Sequence, residues 1–194
     1  MSKAIEVFKE ELDLIKNPSI RDFTIDVIDT MAPDYFWTCP ASTSGRYHPQ
    51  VSLGEGGIIR HTKLAVWWGV ELMRSIPYFD EKHDAYDAVI AALILHDLKK
   101  NGDKLVGRRP VIRGIVNTHG IRLADEIRMR KFPPGVKIPR VLLKVVDGIA
   151  HHMGRWTKPL PDSERMGLIV NQIVHCADYC ASRRVDAKME ELMG

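Results

Sequence analysis

The stretch Ala91-Ala92-Leu93-Ile94-Leu95-His96-Asp97-Leu98-Lys99-Lys100 (AALILHDLKK, residues 91–100) decides how this chain is read. It closes an unbroken apolar run from Ala88 to Leu95, which predicts a helix buried on nearly every side. A His-Asp dipeptide is uninformative by itself, and the chain has a second one at His83-Asp84. The two differ in their surroundings. His83-Asp84 lies in the polar stretch FDEKHDAYD (residues 79–87), where Asp84 is expected to cap a helix and Asp87 to sit in its first turn. His96-Asp97 stands where a carboxylate is costly unless it is paired, hydrogen-bonded or metal-bound, and where a negative charge opposes the helix dipole. A divalent cation would compensate both; a core histidine with a satisfied aspartate is the competing reading.

Outward from this stretch, Pro and Gly punctuate a chain that is helical nearly throughout. Helices are expected at 3–16, 19–31, 58–76, 84–97, 118–131, 138–152 and 163–192, with a loop at 37–57 and at most a short hairpin within 105–116, around Gly107 and Gly114. The fold class is all-α, a single helical bundle spanning 1–194. Length and a 45% hydrophobic content suit one globular domain with its own core. The net charge of +3 permits phosphate binding without demanding nucleic acid. Three cysteines (Cys39, Cys176, Cys180), a charged amphipathic start (MSKAIEVFKEEL) and the lack of a long apolar stretch lead us to expect a cytoplasmic protein outside the membrane.

Other polar residues repeat the puzzle of His96-Asp97. His61 shares a helical stripe with Leu64, Ala65, Trp68 and Leu72, while Asp178 flanks the stripe Val170, Val174, Ala177 and Ala181. His151-His152 end the apolar helix VLLKVVDGIAHH, and His119 opens another. One such residue is ordinarily a satisfied core group. Several, on separate apolar helices, point to a shared site. Cys176 and Cys180, four apart on an apolar helix, read as core packing rather than ligands.

The ordered pieces HPQVSLGEGGIIRHT, LHDLKK, NTHG, AHHMG and VHCADYCAS resemble the HD-domain superfamily of metal-dependent phosphohydrolases. The nearest likeness is to short phage and bacterial HD proteins and to the HD domain of bacterial 3′→5′ exoribonucleases. It covers roughly 37–184, flanked by N-terminal helices (1–36) and the end of a C-terminal helix (185–194). The resemblance implies a metal site from His61, His96, Asp97 and Asp178. A second ion would be held by His119 with His151 or His152, and Asp97 would bridge. One or two divalent ions are implied, with Mn, Fe, Co, Ni or Zn preferred and Mg possible. Asp97 and Lys100 take catalytic places. Lys100, Arg46 or Arg155 would neutralise charge on phosphorus, the polar loop before His61, including His48, would hold phosphate or sugar, and Trp37 or Trp156 would wall a base.

The implied activity is hydrolysis of a nucleotide or related phosphate ester by activated water. Phosphodiester cleavage of single-stranded nucleic acid, a two-iron oxygenase and a non-catalytic metal-binding module are alternatives. The partner is then a small nucleotide, with nucleic acid possible; oligomeric state is left open. Two departures stand out: Lys99 occupies a glycine place, and a basic segment, Gly107-Arg108-Arg109, precedes His119.

Overall fold

A computed structural model describes residues 2–42, 45, 48–77, 79, 84–107, 109–110, 115–132, 134–135, 138–157 and 168–183, with backbone alone at 84, 106, 109 and 110. The fold is all-α. Seven helices are described: α1 (Lys3–Asp13), α2 (Pro18–Met31), α3 (Gly57–Ser75), α4 (Asp84–Leu95), α5 (His119–Lys131), α6 (Arg140–His151) and α7 (Ile169–Ala181). A two-residue antiparallel ladder, Leu105–Val106 with Arg109–Pro110, is the hairpin expected around Gly107. Residues 111–114, where its expected continuation lies, fall outside the described residues, as does His83. No described helix is long and apolar enough to cross a membrane.

Local chemistry explains the helix starts. The Ser2 hydroxyl accepts from the Ile5 N–H at α1, and the Asn17 side chain accepts from Ser19 N–H at α2, with Pro18 in the first turn, where a missing N–H costs nothing. Helix α7 begins later than expected, at Ile169, because Leu168 is extended. It ends at Ala181, where the Ser182 N–H closes back onto the carbonyls of Asp178 and Tyr179; residues 163–167 and 184–192 of the expected span lie outside the described residues.

Helix α4 is the hub. Every side chain from Ala85 to Leu95 is buried, and α1, α2, α3, α6 and α7 all pack against it. Each fully buried Leu or Ile contributes about 1.5–3 kcal/mol, so this helix dominates the core. Asp87 does more than sit in the first turn: its carboxylate accepts from Lys16 N–H (3.1 Å) and Asn17 N–H (2.6 Å), tying the α1–α2 link to the hub. Helix α5 is the exception, packing on α6 and scarcely touching α4.

The core stripe of α3 is rotated from the expected one. His61 and Ala65 are buried, but Leu64, Trp68 and Leu72 are only half-buried, and the contact runs through Ile58, Thr62, Gly69 and Met73. The reason is Gly69. A Cβ there would collide with Leu93 of α4, so the closest approach of the two helices falls on a residue without a side chain.

Candidate metal centre

The hub helix ends at Leu95, so His96 and Asp97 stand in the turn that follows it, both buried. Around them converge His61 from α3, His119 from the start of α5, His152 from the end of α6 and Asp178 from α7. Their donor atoms form two groups, His61–His96–Asp178 and Asp97–His119–His152. In the first, His61 Nε2 lies 3.1 Å from Asp178 Oδ1 and 3.3 Å from His96 Nε2. In the second, His119 Nε2 lies 2.9 Å from both Asp97 Oδ1 and His152 Nε2.

Asp97 faces both groups. Its Oδ1 is turned to His119, while its Oδ2 stands 3.6 Å from each of His61 Nε2 and His96 Nε2. Lys100 Nζ donates to the same Oδ2 at 2.6 Å. Burial works against the charge on Asp97, yet Lys100, His96 and His119 hold its carboxyl well below the usual range. Asp178 is likewise opposed by burial and held well below that range by His61 and His96. Burial pushes His96 down, but Asp97, Asp178 and the Leu93 carbonyl raise it overall. The field that favours a proton there also favours a cation.

The histidines are pre-set as ligands. Nδ1–H of His96, His119 and His152 donates to the carbonyls of Leu93 (2.6 Å), Val116 (2.7 Å) and Ile149 (2.7 Å) respectively. A carbonyl can only accept, so each neutral ring carries its lone pair on Nε2, pointing into the cluster. His119 and His152 therefore face each other lone pair to lone pair at 2.9 Å. Burial, with His119 and His96 nearby, pushes His152 down to about 3, which keeps its ring neutral. A shared cation between them would satisfy both nitrogens. His61 adds a second sign: its Nδ1 is buried without a hydrogen-bond partner while its Nε2 faces carboxylates. The donor set of imidazole nitrogens and carboxylates, without thiolate, fits a divalent transition ion better than it fits structural zinc.

A cavity of about 520 Å³ opens onto this cluster, with Asp97, His119, His152 and Asp178 in its floor. His48, Lys100, Arg155 and Trp156 line its walls. Burial, then Lys100 and His61, push His48 down to about 4. Arg155 lies over the Trp156 ring, 4.7 Å from its centroid, and Trp156 stacks against Tyr179.

The remaining expected residues lie elsewhere. Arg46 falls outside the described residues. Trp37 packs edge-on against Phe36 and under Lys3 Nζ, on the α1 side, away from the cavity lining. His151 is turned out of the cluster: its Nδ1–H donates to the Asp147 carbonyl, and its ring lines a separate groove between α5 and α6 with Arg128 and Asp147. Consecutive residues at a helix end point about 100° apart, so only one of the His151-His152 pair reaches the cluster. Cys176 is exposed and Cys180 half-buried, which corrects the core reading, since both lie off the buried stripe of α7.

Sequence reasoning missed His175, Tyr179 and Ser182, which line the cavity beside Asp178. The signal was there: with Asp178 they occupy positions i, i+3, i+4 and i+7 counted from His175, one face of a helix. It also missed Tyr35, whose hydroxyl accepts from Asn101 N–H and donates to the Gly102 carbonyl, bracing the turn that carries His96-Asp97.

Comparison with family models, with curated proteins and with solved structures returned no match for this chain.

Proposed function

We propose that this protein is a metal-dependent phosphohydrolase of the HD type, acting on a nucleotide or related small phosphate ester. The observation that carries the reading is Asp97, whose two oxygens face two separate sets of inward-pointing imidazole nitrogens. The resemblance of the ordered motifs to HD proteins supports it independently. His61, His96 and Asp178 would hold one ion, His119 and His152 a second, and Asp97 would face both. Divalent ions held there supply Lewis acidity toward a phosphoryl oxygen and acidify water toward neutral pH.

The chain's own residues supply the rest. Burial of the four cluster histidines keeps bulk water off the ligands, and the Nδ1–carbonyl bonds keep three of the rings from turning. Lys100 places a half-buried positive charge on Asp97 at the cavity edge, where it would neutralise a phosphate bound there. Arg155, held against Trp156, offers a planar fork suited to phosphate oxygens. The stacked pair Trp156 and Tyr179 gives the cavity a flat apolar wall suited to a base. That wall also suits a base at the end of a single strand, so an oligonucleotide belongs among the substrates tried.

The test is elemental analysis of the purified protein together with a hydrolysis panel of nucleotides, sugar phosphates and a short single-stranded oligonucleotide. Two equivalents of a transition metal and release of phosphate, pyrophosphate or triphosphate are expected. His96→Ala and Asp97→Ala should reduce turnover by about 100-fold or more, since loss of a metal ligand removes several kcal/mol of transition-state stabilisation. Full activity in both variants would overturn the assignment.

A further inference from the structure

We propose that Lys99 is a positioning residue that sets the second donor group, Asp97–His119–His152, by tying the turn after α4 to α5. This rests on the two-ion reading above and asks what holds its two halves in register. Lys99 is nearly fully buried, unusual for lysine, and its Nζ donates to Asp103 Oδ1 (2.6 Å) and to both carboxylate oxygens of Glu126 (2.7 Å each). Glu126 lies on α5, two helical turns beyond His119. Lys99 lies two residues beyond Asp97. The pair therefore links the element that carries Asp97 to the element that carries His119.

That link matters because helix packing joins α4 to α5 mainly through α6. Helix α5 rests on α6 and scarcely on α4, so the 2.9 Å approach of His119 Nε2 to Asp97 Oδ1 joins elements whose helices do not pack extensively on each other. The second acid on Lys99, Asp103, belongs to the segment following the turn, and Glu126 also pairs with Arg130 Nη2 at 2.6 Å. The network is thus anchored at both ends. Tyr35 braces the same turn from the opposite side, onto the segment between α2 and α3, and makes no link to α5. Among the described hydrogen bonds outside the metal cluster itself, the Lys99–Glu126 contact is the side-chain bridge between this turn and α5. A glycine at position 99 would offer no such bridge between the turn and α5.

The expected consequence is selective. The first donor group, His61–His96–Asp178, comes from helices that pack on one another directly and should keep its ion when Lys99 is replaced. The second group should lose affinity by about 10- to 100-fold, as removal of an outer hydrogen-bond partner does at metal centres.

The experiment loads the full chain with Mn(II), with metal content measured after dialysis and the Mn(II) EPR spectrum recorded. Wild-type protein should hold two ions with a spin-coupled spectrum. Lys99→Met, which keeps the chain length and removes the charge, should hold one and show the sharp hyperfine-split signal of an isolated ion. Lys99→Arg should restore two. Glu126→Gln, a milder change on the partner, should weaken the second ion in the same direction and stands in if Lys99→Met fails to fold. Two coupled ions in Lys99→Met or in Glu126→Gln, with wild-type affinity, would overturn the role of Lys99 while leaving the two-ion reading intact. A wild-type protein that holds fewer than two ions would overturn that reading, and this inference with it.

Discussion

The two donor groups are made of the same kinds of side chain and are built by different means. His61, His96 and Asp178 project from α3, the end of α4 and α7, three helices that pack on one another through the core. Asp97, His119 and His152 meet where the turn after α4 approaches α5 and α6; α6 packs extensively on both α4 and α5, while α4 and α5 scarcely touch each other. The helices behind the first group thus pack on one another pairwise, whereas in the second group α6 joins α4 to α5 and the Lys99–Glu126 bridge adds a polar link. Cores rearrange little, so the first group is rigid for the same reason that the fold is stable. The second is held by packing through α6, by its Nδ1–carbonyl bonds and by Lys99, and these can be perturbed one at a time.

The largest expected effect comes from the residue common to both groups. On the proposed reading, Asp97→Ala removes a carboxylate that faces both ion positions, so metal content should fall for both and turnover should drop to background. Stability should suffer too. Lys100 would be left beside the buried cluster without its counter-ion, and breaking a buried pair typically costs about 3–5 kcal/mol. Metal analysis and a denaturant melt of the same sample check both. Loss of one ion with full retention of the other would show that Asp97 serves a single group.

A smaller and more selective effect is expected at Gly120. A Cβ there would stand 2.6 Å from the Ile149 carbonyl oxygen and 2.9 Å from the His152 ring, so Gly120→Ala pushes α5 off α6 at the point where His119 and His152 meet. The overpacking should cost about 1–3 kcal/mol and weaken the second ion while leaving the first. Gly69→Ala is the counterpart on the other side, since its Cβ would strike Leu93 between α3 and α4. It should lower stability and disturb the first group. If both variants weaken the same ion, the two groups are not independently built.

How much of this was legible beforehand follows from the same contrast. The first group could be read because burial leaves a mark in sequence: an eight-residue apolar run ending in His96-Asp97, and polar residues at helical spacing on α3 and α7. The seven helices were placed for the same reason, though not to the residue. At α7 the extended Leu168 and the closing turn at Ser182 bound the helix at Ile169–Ala181, a limit that apolar periodicity does not mark. Glycines misled the reading of α3, because Gly69 makes the closest contact while contributing no hydrophobicity. The second group was only half legible. His119 and the pair His151-His152 stood out, but which of the pair turns inward depends on how α6 ends, and periodicity does not fix that. Lys99 was visible only as an anomaly. Its partners are four and twenty-seven residues away, and nothing local signals a buried ion pair.

The smallest expected effect separates neighbours. His151 and His152 are adjacent and chemically identical, yet His152 Nε2 faces His119 at 2.9 Å while His151 lines the groove beside Arg128 and Asp147. His152→Ala should therefore cost the second ion and leave the first, visible as a halved metal content. His151→Ala should leave metal content and turnover unchanged. Its side chain gives up one hydrogen bond to the Asp147 carbonyl at a partly exposed position, a loss of about 0.5–1.5 kcal/mol at most. Equal metal loss in the two variants would mean that the end of α6 turns by roughly a third of a circle when ions bind. The Ile149 carbonyl would then have to release His152 Nδ1–H, which makes such a turn costly and the unequal outcome the expected one.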